Sequence, residues 1–389
     1  MKNPFLATNH EYHWNSCIGP QSSELNYIDG YIESSIELAN YVLENKKYGK
    51  VDTLIFPILF NARHGIELTL KFYQKTFSQC GIDTESAPQN HRLDIILSRI
   101  LNAKIPDREL SKNISKLAPY ITGISEIDTS GQDFRYFENK NGHQSLSNHP
   151  IINLVVVRQC LEEMKNILDE TTTRLITFSQ ERSTKTHTTK CSRADLYHIT
   201  QELPMHAEWH LSKFKKIKEN IKREFNLSNN QFDNAIKKIK NQRQLGSIIG
   251  IERNPIALTG TSAIKAAHLW KEYHAFERKA FDERHINKEE NLMISKKASV
   301  EKIRELIKEL KIEELADLET IFYLSRNREF VEHYEEMYEK TLPSYQRSPD
   351  IFIKVHHVFA KVNFLTEIKR GISILGNPSL ADSLGKVEN

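Results

Sequence analysis

Apolar residues in the stretch 52–77 recur every three or four positions, and this spacing constrains the fold more than any other feature. The period matches the turn of an α-helix and places all these side chains on one face. The stripe consists of Ile55, Leu59, Ala62, Ile66, Leu70, Tyr73 and Phe77. We therefore predict a helix with one buried face, beginning near Thr53 so that Pro57 lies in its first turn.

The same period recurs along the chain, so the predicted fold class is all-α. In the first half it covers 24–45, 91–101, 110–121 and 151–168, which together with 52–77 predict an up-and-down helical bundle. In the second half the later helices are predicted at 262–282, 298–309, 313–340 and 351–375, and 245–252 is compatible with a short strand.

The segment 179–192 is polar, with Cys191 as its one apolar residue, and it marks a domain boundary. A chain of 389 residues exceeds one ordinary domain. We therefore predict a helical bundle over 1–178, a polar linker over 179–192 and a C-terminal helical domain over 193–389. Capping sequences follow the linker, at Ser192 with Asp195 and at Ser228 with Gln231.

Composition excludes several classes of protein. The four cysteines show no CxxC pairing, which argues against a zinc ribbon and a disulfide framework. No apolar run has the length of a signal peptide or a membrane span, so we expect a cytoplasmic protein without membrane contact. We find no P-loop, GxGxxG, HExxH or GxSxG motif, and we expect no metal and no cofactor. The net charge of +3 gives little general attraction to nucleic acid.

Chemistry-bearing residues concentrate on the 52–77 helix and in a long loop. Arg63, His64 and Glu67 are three or four residues apart and project near one another. His91 begins the next helix, and Arg135 lies in the polar, aromatic-rich loop 130–150, so either can converge on this cluster. The plain alternative is an intrahelical Arg–Glu pair beside surface residues.

Four segments carry a family resemblance: FPILFNARHGIELTLK, HRLDIIL, FRYFENKNGHQSL and INLVVVRQCLEEMKNIL. They resemble a group of bacterial HEPN-like proteins, the higher eukaryotes and prokaryotes nucleotide-binding superfamily, found among anti-phage genes. The resemblance covers roughly residues 1–170. It implies a homodimeric, metal-independent ribonuclease acting in defence or as a toxin, regulated by an antitoxin or a phage-derived trigger. Its chemistry would be attack of the ribose 2′-hydroxyl on the adjacent phosphate, with histidine moving protons and arginine stabilising charge.

The family's motif is an arginine followed, after four to six residues, by a histidine. Matching pairs are Arg182–His187, Arg193–His198, Arg278–His285, Arg326–His333 and Arg328–His333. Arg326–His333 is the best copy because Asn327 supplies the polar residue after the arginine. The first half departs from the pattern, since Arg135 and His143 are one residue too far apart. We therefore predict Arg63, His64, Glu67, His91 and Arg135 as catalytic, with Arg326 and His333 as the competing pair.

Basic residues on two helices of the second half suggest where nucleic acid is held. Lys215, Lys218, Lys222 and Lys238 are predicted to contact RNA, although a solvated helix surface has the same pattern. Two other functions remain open from the sequence. One is a non-catalytic sensor or adaptor that dimerises and binds RNA or a protein. The other is a DNA-binding regulator with a helix-turn-helix at 298–325.

Overall fold

A computed structural model describes residues 10–20, 22–85, 91–138, 142–148, 151–283 and 289–388. Within these ranges the regular structure is helical, with a single isolated bridge between Glu138 and Gln144 and no strand. The predicted all-α class is confirmed. The chain divides into two compact units, residues 1–180 and 181–389. None of the described helices is long and apolar enough to cross a membrane.

The first unit contains five α-helices of 10 to 29 residues. They are α1 Glu24–Glu44, α2 Val51–Gln79, α3 Leu93–Asn102, α4 Arg108–Ile127 and α5 Leu154–Arg182. Each matches a helix predicted from the sequence, with ends that differ by up to fourteen residues at α5. Because α5 continues to Arg182, the segment predicted as a linker begins inside a helix. Farther along that segment, the N–H of Thr188 donates to the carbonyl of Cys191 and closes a turn.

Helix α2 carries the apolar face of the bundle and packs against α1, α3 and α4. All members of its predicted stripe are buried except Ile55, which is partly buried. The helix begins at Val51, so Pro57 lies inside it rather than in its first turn. The missing N–H of Pro57 therefore leaves the carbonyl of Thr53 without its helical partner, and the proline does not mark the helix start.

Helices α1 and α2 approach most closely at Gly65. A Cβ at this position would lie 2.6 Å from Cδ1 of Ile32, whereas one at Gly30 of α1 would meet nothing within 4 Å. We expect Gly65→Ala to lower the free energy of unfolding by about 1–3 kcal/mol through overpacking. The matched variant Gly30→Ala is expected to raise it by about 0.5–1 kcal/mol. Urea unfolding compares the two, and equal effects would show that the close approach is unimportant.

The second unit contains eleven α-helices within the described residues. They are α6 Arg193–Glu202, α7 Ser212–Glu224, α8 Asn229–Asn241, α9 Arg243–Ile248, α10 Gly260–Glu283, α11 Glu289–Glu309, α12 Ile312–Arg326, α13 Tyr334–Gln346, α14 Ile351–Phe359, α15 Phe364–Ile374 and α16 Pro378–Glu388. The capping boxes predicted at Ser192 and Ser228 are both present. Two hydrophobic clusters form the cores, one over residues 191–249 and the other over 258–384.

The single helix predicted over 313–340 is wrong, because α12 and α13 are separated by 327–333. Arg328 has a left-handed φ of +57°, and the N–H of Glu329 donates to the carbonyl of Leu324. This closure ends α12 in a Schellman-type turn without a glycine. The predicted helix over 351–375 is also divided. The chain turns between α14 and α15, so that the rings of Phe359 and Phe364 meet at 5.3 Å in the core.

Two further sequence interpretations are overturned. The segment 245–252 forms no strand, since α9 covers 243–248 and Gln242 caps it by accepting from the N–H of Leu245. The candidate second helix of a helix-turn-helix at 298–325 is α12, which is buried along most of its length. A helix buried in its own domain core cannot enter a DNA groove, so this segment is not a DNA-reading motif.

Candidate functional site

Arg63 is buried on α2 and joins three parts of the first unit. Its Nε donates to the carbonyl of Asp128 at 2.9 Å, and its Nη2 donates to the carbonyl of His91 at 2.8 Å. Its Nη1 donates to Oε2 of Glu67 at 3.3 Å. Every guanidinium nitrogen is thus occupied within the protein. The geometry gives Arg63 a positioning role, because a phosphate would have to displace these bonds.

The segment after α4 is folded against this guanidinium. Oδ1 of the fully buried Asp128 accepts from the N–H groups of Gly131 and Gln132 at 2.6 and 3.0 Å. Gly131 has a left-handed φ of +78°, and a Cβ there would lie 2.6 Å from Nη1 of Arg63. Only glycine meets both requirements without strain. This turn fixes where the loop that carries Arg135 leaves α4.

Glu67 is the anionic centre of the cluster. Its Oε1 accepts from Nζ of Lys71 at 2.6 Å and contacts Nδ1 of His91 at 2.8 Å, while the side chain is only 6% exposed. Burial by itself raises the pKa of Glu67, but hydrogen bonds from Lys71 and His91 outweigh it and the net pKa is lowered. A lowered pKa keeps the carboxylate ionised at neutral pH.

His91 combines a buried partner with an exposed ring. Its side chain is 63% exposed, although Nδ1 contacts the buried carboxylate of Glu67. An ionised carboxylate accepts a hydrogen bond and cannot donate one, so Nδ1 carries the proton when the imidazole is neutral. The lone pair then resides on Nε2. A carboxylate-oriented imidazole with this tautomer is the arrangement required of a general base.

The pH dependence of stability should reveal Glu67. Because its folded-state pKa is lowered, its stabilisation is present above the unfolded value of about 4.3 and is lost as pH falls through the folded value. We expect Glu67→Gln to be less stable than wild type at pH 7, with the difference narrowing below about pH 4.3. Urea unfolding across pH 7 to 3.5 measures this, with exposed Glu37→Gln as control. An unchanged difference at low pH would refute the prediction.

His64 lies half-buried among aromatic rings instead of joining the hydrogen-bonded cluster. Its ring stacks on Phe60 at 5.8 Å and meets the edge of Tyr31 at 4.5 Å. Burial lowers the pKa of His64; Glu67 opposes this shift, and the charges of Lys71, Arg135 and Arg63 reinforce it. His64 is therefore held in its neutral form, within electrostatic reach of both the Glu67 group and Arg135.

Arg135 is exposed and lies beside aromatic rings. Its guanidinium carbon is 5.5 Å from the ring centre of Phe60 and 5.2 Å from that of Tyr136. It lines an open cavity of about 750 Å³ together with Phe56, Tyr136 and Phe137, all of which are exposed. Exposed aromatic rings beside a guanidinium provide stacking surfaces for bases and a cation for phosphate.

The motif-spaced pairs differ in whether their members touch. Arg326 and His333 lie in the second unit and share no hydrogen bond: Arg326 is near the ring of Phe322, and Nδ1 of His333 is 3.8 Å from Glu329. In contrast, Nη1 of Arg182 is 2.9 Å from Nδ1 of His187.

Burial and the charge of Arg182 lower the pKa of His187. Among the pairs in the described residues, Arg182–His187 alone is in direct contact. Arg278–His285 lies outside the residues whose side chains are described.

The lysines predicted to hold RNA lie on α7 and α8 of the second unit. Lys218 and Lys222 are paired with acids, at 3.5 Å from Asp233 and 3.0 Å from Glu219. Lys238 donates to the carbonyl of Lys185 at 3.0 Å. Lys215 is exposed and has no polar partner among the described residues.

Two contributors to the first cluster were missed from the sequence. Lys71 was detectable, because it lies four residues after Glu67 on the same helix. Asp128 was detectable only as the start of a turn, from the glycine three positions later. No group of three or more potential metal ligands occurs in the part of the chain that is described.

Comparisons with protein-family models, with curated proteins and with solved structures gave no match for this chain.

Proposed function

We propose that the first unit cleaves single-stranded RNA without a metal ion, as a HEPN-like nuclease of a defence or toxin system. The observation that carries the proposal is the contact between His91 and Glu67. It combines a highly exposed imidazole with a buried, ionised carboxylate that fixes the tautomer. This pairing has no evident need in the bundle core, since His91 buries little of its own surface.

The proposed reaction is transesterification within the RNA chain. Nε2 of His91 takes the proton of a ribose 2′-hydroxyl, whose oxygen forms a bond to the adjacent phosphorus. The bond from phosphorus to the 5′-oxygen breaks, and that oxygen takes a proton from water. The products are a 2′,3′-cyclic phosphate and a 5′-hydroxyl. Arg135 stabilises the phosphate charge, and Arg63 and Glu67 act by positioning His91.

The exposed rings beside Arg135 favour a single-stranded substrate. Phe56, Tyr136 and Phe137 are 45%, 51% and 74% exposed along the same cavity. Unpaired bases stack on such rings, whereas paired bases in a helix are unavailable for stacking. The substrate class follows from this surface and the catalytic role from His91, so two separate observations support one site.

The test is to incubate the full chain with a labelled single-stranded RNA in the presence of EDTA. A second substrate carries 2′-O-methyl groups throughout and lacks the nucleophile. We expect cleavage of the first substrate only, with products ending in 2′,3′-cyclic phosphate. Cleavage of the methylated RNA, or an absolute requirement for a divalent metal, would contradict the mechanism.

A second candidate function is a non-catalytic adaptor that dimerises. The observation that favours it is an apolar groove of about 490 Å³ between α4 and α5, close to the exposed side chains of Val155 and Val156. Contiguous exposed apolar surface commonly marks a contact between proteins. Under this hypothesis the chain forms a dimer that Val155→Glu/Val156→Glu converts to a monomer in sedimentation, and purified wild type leaves RNA intact.

A further inference from the structure

A small group of helices in the second unit, residues 191–251, has a hydrophobic core of its own. Helix α6 packs against α7, α8 and α9. The buried side chains of this core include Leu196, Ile199, Ile221, Phe232, Ile239 and Leu245. Since one face of α7 and one face of α8 point into this core, their opposite faces are left for solvent or a partner.

Helices α7 and α8 are joined by only four residues, 225–228. Asn226 has a left-handed φ of +50°, and Ser228 caps α8 by accepting from the N–H of Gln231. Two helices joined by a short turn and packed on a third helix form the arrangement of a helix-turn-helix. In that motif the second helix, here α8, enters the major groove.

Positive charge is concentrated on these two helices. The segment 212–243 contains ten lysines and arginines and three acids, a net charge of +7, whereas the whole chain carries +3. The remainder of the protein is therefore net negative, at −4. Lys213, Lys216 and Arg223 are exposed on one face of α7 at spacings of three and seven, without an acidic partner among the described residues.

The exposed face of α8 carries side chains that can read bases. Asn230, Asn234, Lys237 and Asn241 recur at spacings of four, three and four and are all exposed. The one acid of α8, Asp233, is paired with Lys218. Carboxamides donate to and accept from the adenine edge in the major groove, and the first residues of a recognition helix reach the bases.

We propose that α7 and α8 form a helix-turn-helix that binds double-stranded DNA, with α8 in the major groove and the cations of α7 on the phosphates. The proposal goes beyond RNA cleavage and uses no residue of the first unit. The sequence had suggested RNA for this surface. Duplex DNA fits better, because a helix enters the major groove of B-form DNA, while that of A-form RNA is too deep and narrow for side chains to read.

The experiment measures binding of the full chain to a labelled 20-base-pair duplex DNA of mixed sequence by fluorescence anisotropy, from 50 to 300 mM salt. We expect a dissociation constant of about 10⁻⁴–10⁻⁶ M near physiological salt, with affinity falling steeply as salt rises. The triple variant Lys216→Gln/Arg223→Gln/Lys237→Gln is expected to weaken binding by about tenfold or more. It should also lower the salt slope by about 3, one unit for each lost phosphate contact.

The matched control removes the same charges elsewhere on the second unit, in Lys297→Gln/Lys308→Gln/Arg347→Gln. These three side chains are exposed. The control should bind duplex DNA as wild type does, and circular dichroism should show both triple variants folded. Equal loss in both would reduce the effect to net charge and overturn the proposal. Equal or tighter binding of an RNA duplex of the same sequence would exclude the groove geometry, as would a failure to bind duplex DNA at 50 mM salt.

Discussion

His91→Gln is expected to lower the rate of RNA cleavage by about 10²–10⁴-fold, the usual contribution of a general base. Glutamine keeps an N–H that can donate to Glu67, but it has no basic nitrogen. The effect should therefore fall on the chemical step and leave RNA affinity close to that of wild type. Single-turnover cleavage measures the rate, and anisotropy with 2′-O-methyl RNA measures affinity without turnover.

The control for this substitution is His198→Gln. His198 is exposed in the second unit and follows Arg193 at the motif spacing, so it shares the sequence signature but not the carboxylate contact. We expect it to cleave at the wild-type rate. Two double variants compare other locations, Arg182→Ala/His187→Ala and Arg326→Ala/His333→Ala. If either abolishes cleavage while His91→Gln retains it, the site lies in the second unit and our assignment is wrong.

Arg63→Ala is expected to lower the free energy of unfolding by about 3–5 kcal/mol, as for other buried ion pairs that lose one partner. Two buried carboxylates lose their cation, because Nη1 is 3.3 Å from Glu67 and Nε is 3.6 Å from Asp128. The carbonyls of His91 and Asp128 lose donors as well. Urea unfolding measures the loss, and limited proteolysis reports release of the segment after α4.

Arg135→Ala provides the contrast within the same cluster. Its side chain is exposed, so its removal should change stability by no more than about 0.5 kcal/mol. Cleavage should nevertheless fall, because the cation near the phosphate is lost. Arg63→Ala with wild-type stability and no cleavage would indicate that Arg63 acts on substrate directly, contrary to its hydrogen bonds.

The helices of the first unit could be predicted because their signal is local. Ile66, Leu70 and Tyr73 show the period of a buried face, and burial needs only one such face. The break after α12 could not be predicted in the same way. Arg328 adopts a left-handed φ that glycine usually signals, and neither it nor its neighbours carry the composition of a helix end.

The candidate site was predicted in membership but not in roles. Arg63 and Glu67 share a helical face, so their proximity followed from spacing. The partners that settle Arg63 as a positioning residue are backbone carbonyls, which any residue type carries. The contact between His91 and Glu67 joins positions 24 residues apart, and a residue pattern does not contain that distance.

The links made by Arg63 also determine when such a site can exist during folding. Its hydrogen bonds span 28 residues to His91 and 65 to Asp128, so each closes a long loop of chain. Loop closure carries an entropic cost that long-range contacts recover only once the helices have docked. A partly folded chain, as it leaves the ribosome, therefore has no oriented imidazole. Completion of the bundle is itself the step that creates the base.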